Sequence, residues 1–122
     1  MPSETLDVLL KSFESPDEVR TFPRGRFEIV HLAGRTFGRA TYQPGWRWSV
    51  DVGPTLGKRF CDVEHLGLVL SGRATAAFAD GRVVVLEPGQ LFHISTKPHD
   101  SWVVGGEPYV SLHFLGAEKY AK

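Results

Sequence analysis

The sequence predicts an all-β domain, a sandwich or barrel of short strands that follows one short N-terminal helix. From Arg26 onward, short segments alternate apolar and polar residues, which is typical of strands that bury one face. Turn residues separate the segments, and Asp80-Gly81 supplies the positive φ angles that a tight hairpin needs. No helical pattern lies between the strands, so the regular spacing favours a sandwich or barrel.

The predicted strands are short and follow one another closely along the chain. They cover residues 27–31, 36–42, 46–50, 66–70, 73–78, 83–86, 91–94, 102–104 and 109–114. The segment 46–50 is included because two tryptophans alternate there with polar residues.

The N-terminal segment carries the one helical pattern. Spacings of i, i+3, i+4 and i+7 place four apolar residues on one helical face, and these are Leu6, Leu9, Leu10 and Phe13. The sequence therefore predicts a helical extension over residues 1–25 and a β-barrel over residues 26–116, together a single domain.

Composition narrows the classes of function. A chain of 122 residues with 42% hydrophobic and 23% charged residues has the make-up of one globular domain. Lysine and arginine number 14, equal to aspartate and glutamate, so no net positive charge attracts nucleic acid or an anionic membrane.

The single cysteine and the short apolar runs predict that the protein is cytoplasmic. The single cysteine, Cys61, has no intrachain disulfide partner, which fits a reducing compartment. The N-terminal residues show no secretory signal pattern. Apolar runs such as residues 83–86 are far shorter than the roughly 20 residues of a membrane helix.

The most informative motif runs from Gly53 to Gly72 and reads GPTLGKRFCDVEHLGLVLSG. It resembles the first signature of the cupin superfamily, Gly-x5-His-x-His-x3-4-Glu-x6-Gly. In this register the two glycines of the signature fall on Gly53 and Gly72. The family's three ligand positions then fall on Arg59, Cys61 and His65, so the spacing matches while the residue types differ.

A second motif begins at Gly89 and resembles the second cupin signature, Gly-x5-Pro-x-Gly-x2-His-x3-Asn. The histidine position of that signature falls on Asp100, and His99 stands one residue before it. Either side chain could occupy the ligand position.

The resemblance implies a double-stranded β-helix, or jelly roll, of two antiparallel sheets closed into a small barrel. Its pocket would hold one divalent metal ion, here with Cys61, His65 and His99 as ligands. One thiolate and two imidazoles suit zinc best, and they can also take copper, nickel or iron. On one continuous strand the α-carbons of Cys61 and His65 would be about 13 Å apart, so residues 62–64 must turn the chain.

Each candidate ligand also has a structural interpretation. Cys61 can be a small buried apolar residue, His65 a core or turn histidine, and His99 a loop residue bonded to backbone. The other histidines lie on predicted strands and are interpreted as structural, although two of them could line the pocket. They are His31, His93 and His113, of which the latter two are the pocket candidates.

Two functions remain open from the sequence. In the first, the protein is a metal-dependent enzyme acting on a small organic molecule, with Glu64 or Asp100 as the general base. In the second, it is a non-catalytic module that binds or senses a small ligand, which the altered ligand set favours. Arg59 cannot bind a metal, and it either faces solvent or holds an anionic substrate. A homodimer is predicted by analogy with the cupins.

Overall fold

The computed structural model of the protein describes residues 7–121 and consists mainly of antiparallel strands. In chain order the elements are β1 (Glu18–Phe22), β2 (Gly25–Leu32), β3 (Arg35–Tyr42), α1 (Trp48–Asp51), α2 (Gly53–Leu56), β4 (His65–Ser71), β5 (Arg73–Phe78), β6 (Val83–Leu86), β7 (Leu91–Ile94), β8 (His99–Asp100), β9 (Val103–Val104), β10 (Tyr109–Leu115) and a 3-10 helix (Ala117–Lys119). Within residues 7–121, no helix has the length and apolar character that crossing a membrane requires.

Two sheets enclose the interior of the protein. The larger has the order β1-β2-β3-β10-β4-β7, and the smaller has the order β6-β5-β8, with β9 also paired to β5. All these pairs are antiparallel. The all-β prediction is confirmed, and the predicted hairpin at Asp80-Gly81 joins β5 to β6.

The predicted strand over residues 46–50 is wrong, because the chain forms the helical turn α1 there. Its start is fixed by Asp51, whose carboxylate accepts the backbone N–H of Arg47 at 2.9 Å. Trp48 and Val52, four residues apart, are both buried, as expected on one face of a helical turn. The alternation that had predicted a strand therefore comes from two tryptophans that are both buried.

The predicted N-terminal helix is also wrong for residues 7–17, none of which is helical. Leu9 and Leu10 stay 46% and 87% exposed, so no apolar face is buried, and a short isolated helix is marginal in water. Leu6 lies outside the described residues. The chain instead enters the larger sheet through β1, which pairs with β2.

Alternation within the strands places polar side chains inside the barrel. On β10, Tyr109, Ser111 and His113 are all buried, and His65 at the start of β4 is buried too. The apolar part of the interior is built largely from Phe27, Ile29, Ala40, Tyr42, Trp46, Trp48, Val52, Val69, Ala74, Ala76, Phe92 and Ile94.

The segment after β10 closes one end of the barrel over these polar residues. The Arg20 guanidinium donates hydrogen bonds to the carbonyl oxygens of Ala117 (3.3 Å), Glu118 (3.1 Å) and Tyr120. The Tyr120 ring is thereby held inside, where the Tyr42 hydroxyl donates to the Tyr120 hydroxyl at 2.7 Å. Arg20 thus fixes the segment that covers the interior.

Replacing Gly67 by alanine is expected to destabilise the protein by about 1.5 kcal/mol, because the interior is closely packed there. An added Cβ would meet the Leu112 carbonyl oxygen at 2.1 Å and the Phe92 ring at 2.6 Å. Urea denaturation measures the change. Gly106→Ala is the matched control, since its Cβ meets nothing within 4 Å. Equal unfolding midpoints for the two variants would contradict the packing argument.

Candidate metal centre

Three potential metal ligands converge inside the barrel. The donor atoms of Cys61, His65 and His99 all lie within 4.8 Å of one another. The Cys61 Sγ and the His65 Nε2 are 3.5 Å apart. All three residues are at most 4% exposed. The set predicted from motif spacing is therefore brought together.

The chain turns between Cys61 and His65, as their spacing requires. Cys61 exchanges two backbone hydrogen bonds with His99, at 2.8 and 3.0 Å, and so joins the smaller sheet. His65 pairs with Ile94 in the larger sheet. Residues 62–64 therefore carry the chain from one sheet to the other, and the ligands come from both.

His99 is oriented for binding by a backbone contact. Its Nδ1–H donates to the Lys97 carbonyl oxygen at 2.9 Å, which leaves Nε2 as the ring's lone-pair donor. Such a contact to the second ring nitrogen is usual for a metal-binding histidine. Burial also lowers the pKa of His99, so the ring is held in its neutral form.

Burial governs the protonation of the other two donors. It lowers the pKa of His65 well below its ordinary value, and the neighbouring His113 and His99 lower it further. Burial also raises the pKa of the Cys61 thiol to about 11. The metal-free protein therefore holds a thiol and neutral imidazoles, and binding a dication would release the thiol proton.

The donor set fits a tetrahedral dication. Zinc–sulfur and zinc–nitrogen bonds of the usual lengths place sulfur and nitrogen roughly 3.5 Å apart at the tetrahedral angle, and the Cys61–His65 separation is 3.5 Å. One thiol and two imidazoles are also donor types that zinc prefers. The chemistry of the donor set thus suits the ion that the resemblance implies.

The three residues line a small cavity of about 40 Å³ in the barrel. One water needs roughly 10–15 Å³, so the space suits an ion with a ligand of a few atoms. The cavity is lined by Tyr42, Trp46, Trp48, Cys61, His65, Thr75, Leu86, Phe92, Ile94, His99, Ser101, Tyr109, Ser111, His113 and Tyr120. These residues include no aspartate, glutamate, lysine or arginine.

Neither predicted general base belongs to this cluster. Glu64 is exposed, and its carboxylate lies 2.7 Å from His93 Nε2 at the surface. The Asp100 carboxylate accepts hydrogen bonds from the Ser49 N–H (3.0 Å) and hydroxyl (2.7 Å). Arg59 is exposed as well. Of the two candidates in the second motif, His99 is the one that joins the metal-ligand cluster.

The sequence did not identify most of the residues that form the cavity wall. His113 lines the cavity through strand alternation, and its Nε2 lies 3.0 Å from the Ser111 hydroxyl. Trp46 and Trp48 are wall residues, as an apolar pocket would require. Tyr120 was not predicted, because it follows the last strand and is placed inside by contacts with Arg20 and Tyr42, which are distant in sequence.

Comparison with solved structures identifies the architecture. An uncharacterised protein with a double-stranded β-helix domain from Klebsiella pneumoniae superposes with a TM-score of 0.61, covering 93% of each chain at 13% identity. The chain has the double-stranded β-helix fold. This is the fold that the cupin-like motifs predict. No protein-family model matches the sequence, and no curated protein does.

Two named enzymes share this fold. Oxalate decarboxylase from Lactobacillus farciminis superposes over 93% of this chain and 35% of its own, with a TM-score of 0.57 and 15% identity. The polyketide cyclase RemF from Streptomyces resistomycificus gives a TM-score of 0.57 at 18% identity, over 75% of this chain and 64% of its own. At these identities the double-stranded β-helix likeness describes architecture only.

Proposed function

We propose that the protein is a cupin-type metal-binding protein that holds one divalent ion, zinc in preference, and takes a small molecule into the barrel. The observation that carries the proposal is the buried group of Cys61, His65 and His99, with one sulfur–nitrogen separation of 3.5 Å. Three protein ligands leave a fourth position for a small ligand, the arrangement typical of a reactive zinc site.

The chain's own residues prepare the centre in three ways. The Lys97 carbonyl orients His99, burial keeps His65 and His99 unprotonated, and largely apolar walls border the donors. When bound, a dication would polarise a ligand oxygen or lower the pKa of a bound water.

A second function, ligand binding without chemistry, is favoured by one observation. Glu64 and Asp100 both make hydrogen bonds away from the three donors, so neither predicted base is placed to move a proton at the ion. A sensing or storage module would need the ion and the cavity but not a base. Turnover of small acids by the metal-loaded protein separates the two functions.

The metal site is tested by elemental analysis of untagged protein beside Cys61→Ala, His65→Ala and His99→Ala. We expect about one equivalent of metal in the natural protein and at least a tenfold loss in each variant, since each removes one of three ligands. His31→Ala is the matched control, because His31 is exposed and lies 3.1 Å from Thr36.

Circular dichroism on the same samples separates loss of metal from loss of fold. Absence of metal from the natural protein after incubation with zinc would overturn the proposal, and this outcome does not depend on any variant. Retention of a full equivalent by folded His65→Ala and His99→Ala proteins would overturn it too.

A further inference from the structure

The outer face of the larger sheet is apolar across three neighbouring strands. Cross-strand register places Leu112 of β10 opposite Leu68 of β4, and Leu68 opposite Leu91 of β7. The neighbours of these leucines along the strands, such as Val69 and Phe92, are buried in the interior. Alternation therefore turns the leucines outward, and they form one continuous row on the outside of the barrel.

Further large apolar residues extend this row. We refer to the whole set as the outer apolar face, and it consists of Leu66, Leu68, Leu70, Leu91, Leu112 and Phe114. Four of these residues are between 41% and 75% exposed, which corresponds to roughly 400 Å² of apolar surface at about 200 Å² for a large side chain. A contiguous apolar patch of several hundred square ångströms is often an interaction site.

A groove continues the outer apolar face where residues 11–13 lie against β2 and β3. Its volume is about 220 Å³, many times the roughly 10–15 Å³ that one water needs. Its apolar walls are Phe13, Val30, Leu32, Phe37, Leu112 and Phe114. Leu10 comes directly before the groove-lining residues and is 87% exposed. Each chain thus carries an apolar groove and a projecting leucine next to each other.

The charges that border the outer apolar face already have partners in the same chain. On the β3 side, the Arg39 guanidinium donates to the Glu28 carboxylate at 2.7 Å. On the β7 side, the Glu64 carboxylate lies 2.7 Å from His93 Nε2. The whole chain has equal numbers of acidic and basic residues. A strongly charged partner would therefore find no complementary charge here, whereas an identical face would meet no repulsion.

We propose that the outer apolar face is the interface between two copies of this chain, related by a two-fold axis, with Leu10 of each copy seated in the groove of the other. A two-fold interface pairs each patch with the same patch on the second copy, so one chain that carries both leucine and groove satisfies both contacts. The area is sufficient, since a standard interface buries roughly 800 Å² per partner, a little over half of it apolar. The inference does not depend on the metal site.

Sedimentation velocity over a range of protein concentrations, in EDTA to exclude bridging metal ions, tests the interface. We expect the natural protein to be a dimer at roughly 10 μM. Leu91→Glu and Leu66→Glu should each weaken dimerisation about a hundredfold, because each buries two carboxylates in an apolar interface. Leu10→Glu should weaken it about tenfold. Val84→Glu is the matched control, since Val84 is 51% exposed but lies on β6 of the smaller sheet.

Circular dichroism on the same samples shows which variants are folded. A natural protein that stays monomeric at roughly 100 μM would overturn the interface, and this result requires no variant. Full dimer affinity in folded Leu91→Glu and Leu66→Glu proteins would overturn it too, and a loss confined to Val84→Glu would place the contact on the edge strand β6 instead. Full affinity in the Leu10→Glu protein would overturn the seating of Leu10 in the groove.

Discussion

Chelation of the bound ion is expected to lower the free energy of unfolding by about 4 kcal/mol, relative to protein held at free zinc a thousandfold above its dissociation constant. Cys61 and His99 belong to the smaller sheet and His65 to the larger, so a bound ion would join the two sheets and would bind only the folded arrangement. Urea denaturation with buffered zinc, compared with excess EDTA, measures the difference.

The His65→Ala protein is the informative comparison for this effect. It keeps the fold's other contacts but lacks one ligand, so its unfolding curves with zinc and with EDTA should nearly coincide. The His31→Ala protein should respond as fully as the natural one. An equal zinc response in the His65→Ala protein would show that zinc stabilises through another site.

Acid is expected to destabilise the metal-free protein through its buried histidines. Burial lowers the pKa of His113 from 6.5 to about 4, and the pKa values of His65 and His99 are lowered as well. Below pH 6.5 the unfolded chain binds protons that the folded chain does not, so stability is full above pH 6.5 and falls toward pH 4. Between pH 7.5 and 5.0, His113 alone should account for about 2 kcal/mol.

Urea denaturation at a series of pH values in EDTA measures this loss. His113→Phe removes one titrating group and keeps a ring beside Phe27 and Phe92, which lie 5.2 and 5.6 Å from His113 between centroids. Its loss of stability between pH 7.5 and 5.0 should be about 2 kcal/mol smaller. An unchanged loss would mean that His113 is protonated in the folded protein at these pH values.

The fold was largely predictable because half-buried strands alternate and turns need particular residues. The prediction of a strand over residues 46–50 was wrong because Trp46, which precedes the helical turn α1, and Trp48, which begins it, are both buried without forming a strand. The prediction of an N-terminal helix was wrong because the spacing of apolar residues defines a helical face but does not show that another part of the protein covers that face. Strand β1 was not predicted, because its sequence mixes polar and apolar residues without a strand-like pattern. It becomes a strand by pairing with β2.

The candidate site was predictable in part. Motif spacing identified Cys61 and His65 as candidate ligands, because the distance between ligand positions along the chain is preserved when the residue types change. It left His99 and Asp100 open, because a shift of one residue in a loop reverses which side chain faces inward. No local sequence pattern indicates that Tyr120 lies in the barrel interior. The homodimer and the preference for zinc stay predictions.

The closure of the barrel end by Arg20 and the segment after β10 bears on how an ion would enter. With donors at most 4% exposed, an ion could reach or leave them only when the barrel opens locally, at a rate set by that opening. The rate at which a chelator removes the ion from folded protein would then report how often that end of the barrel opens.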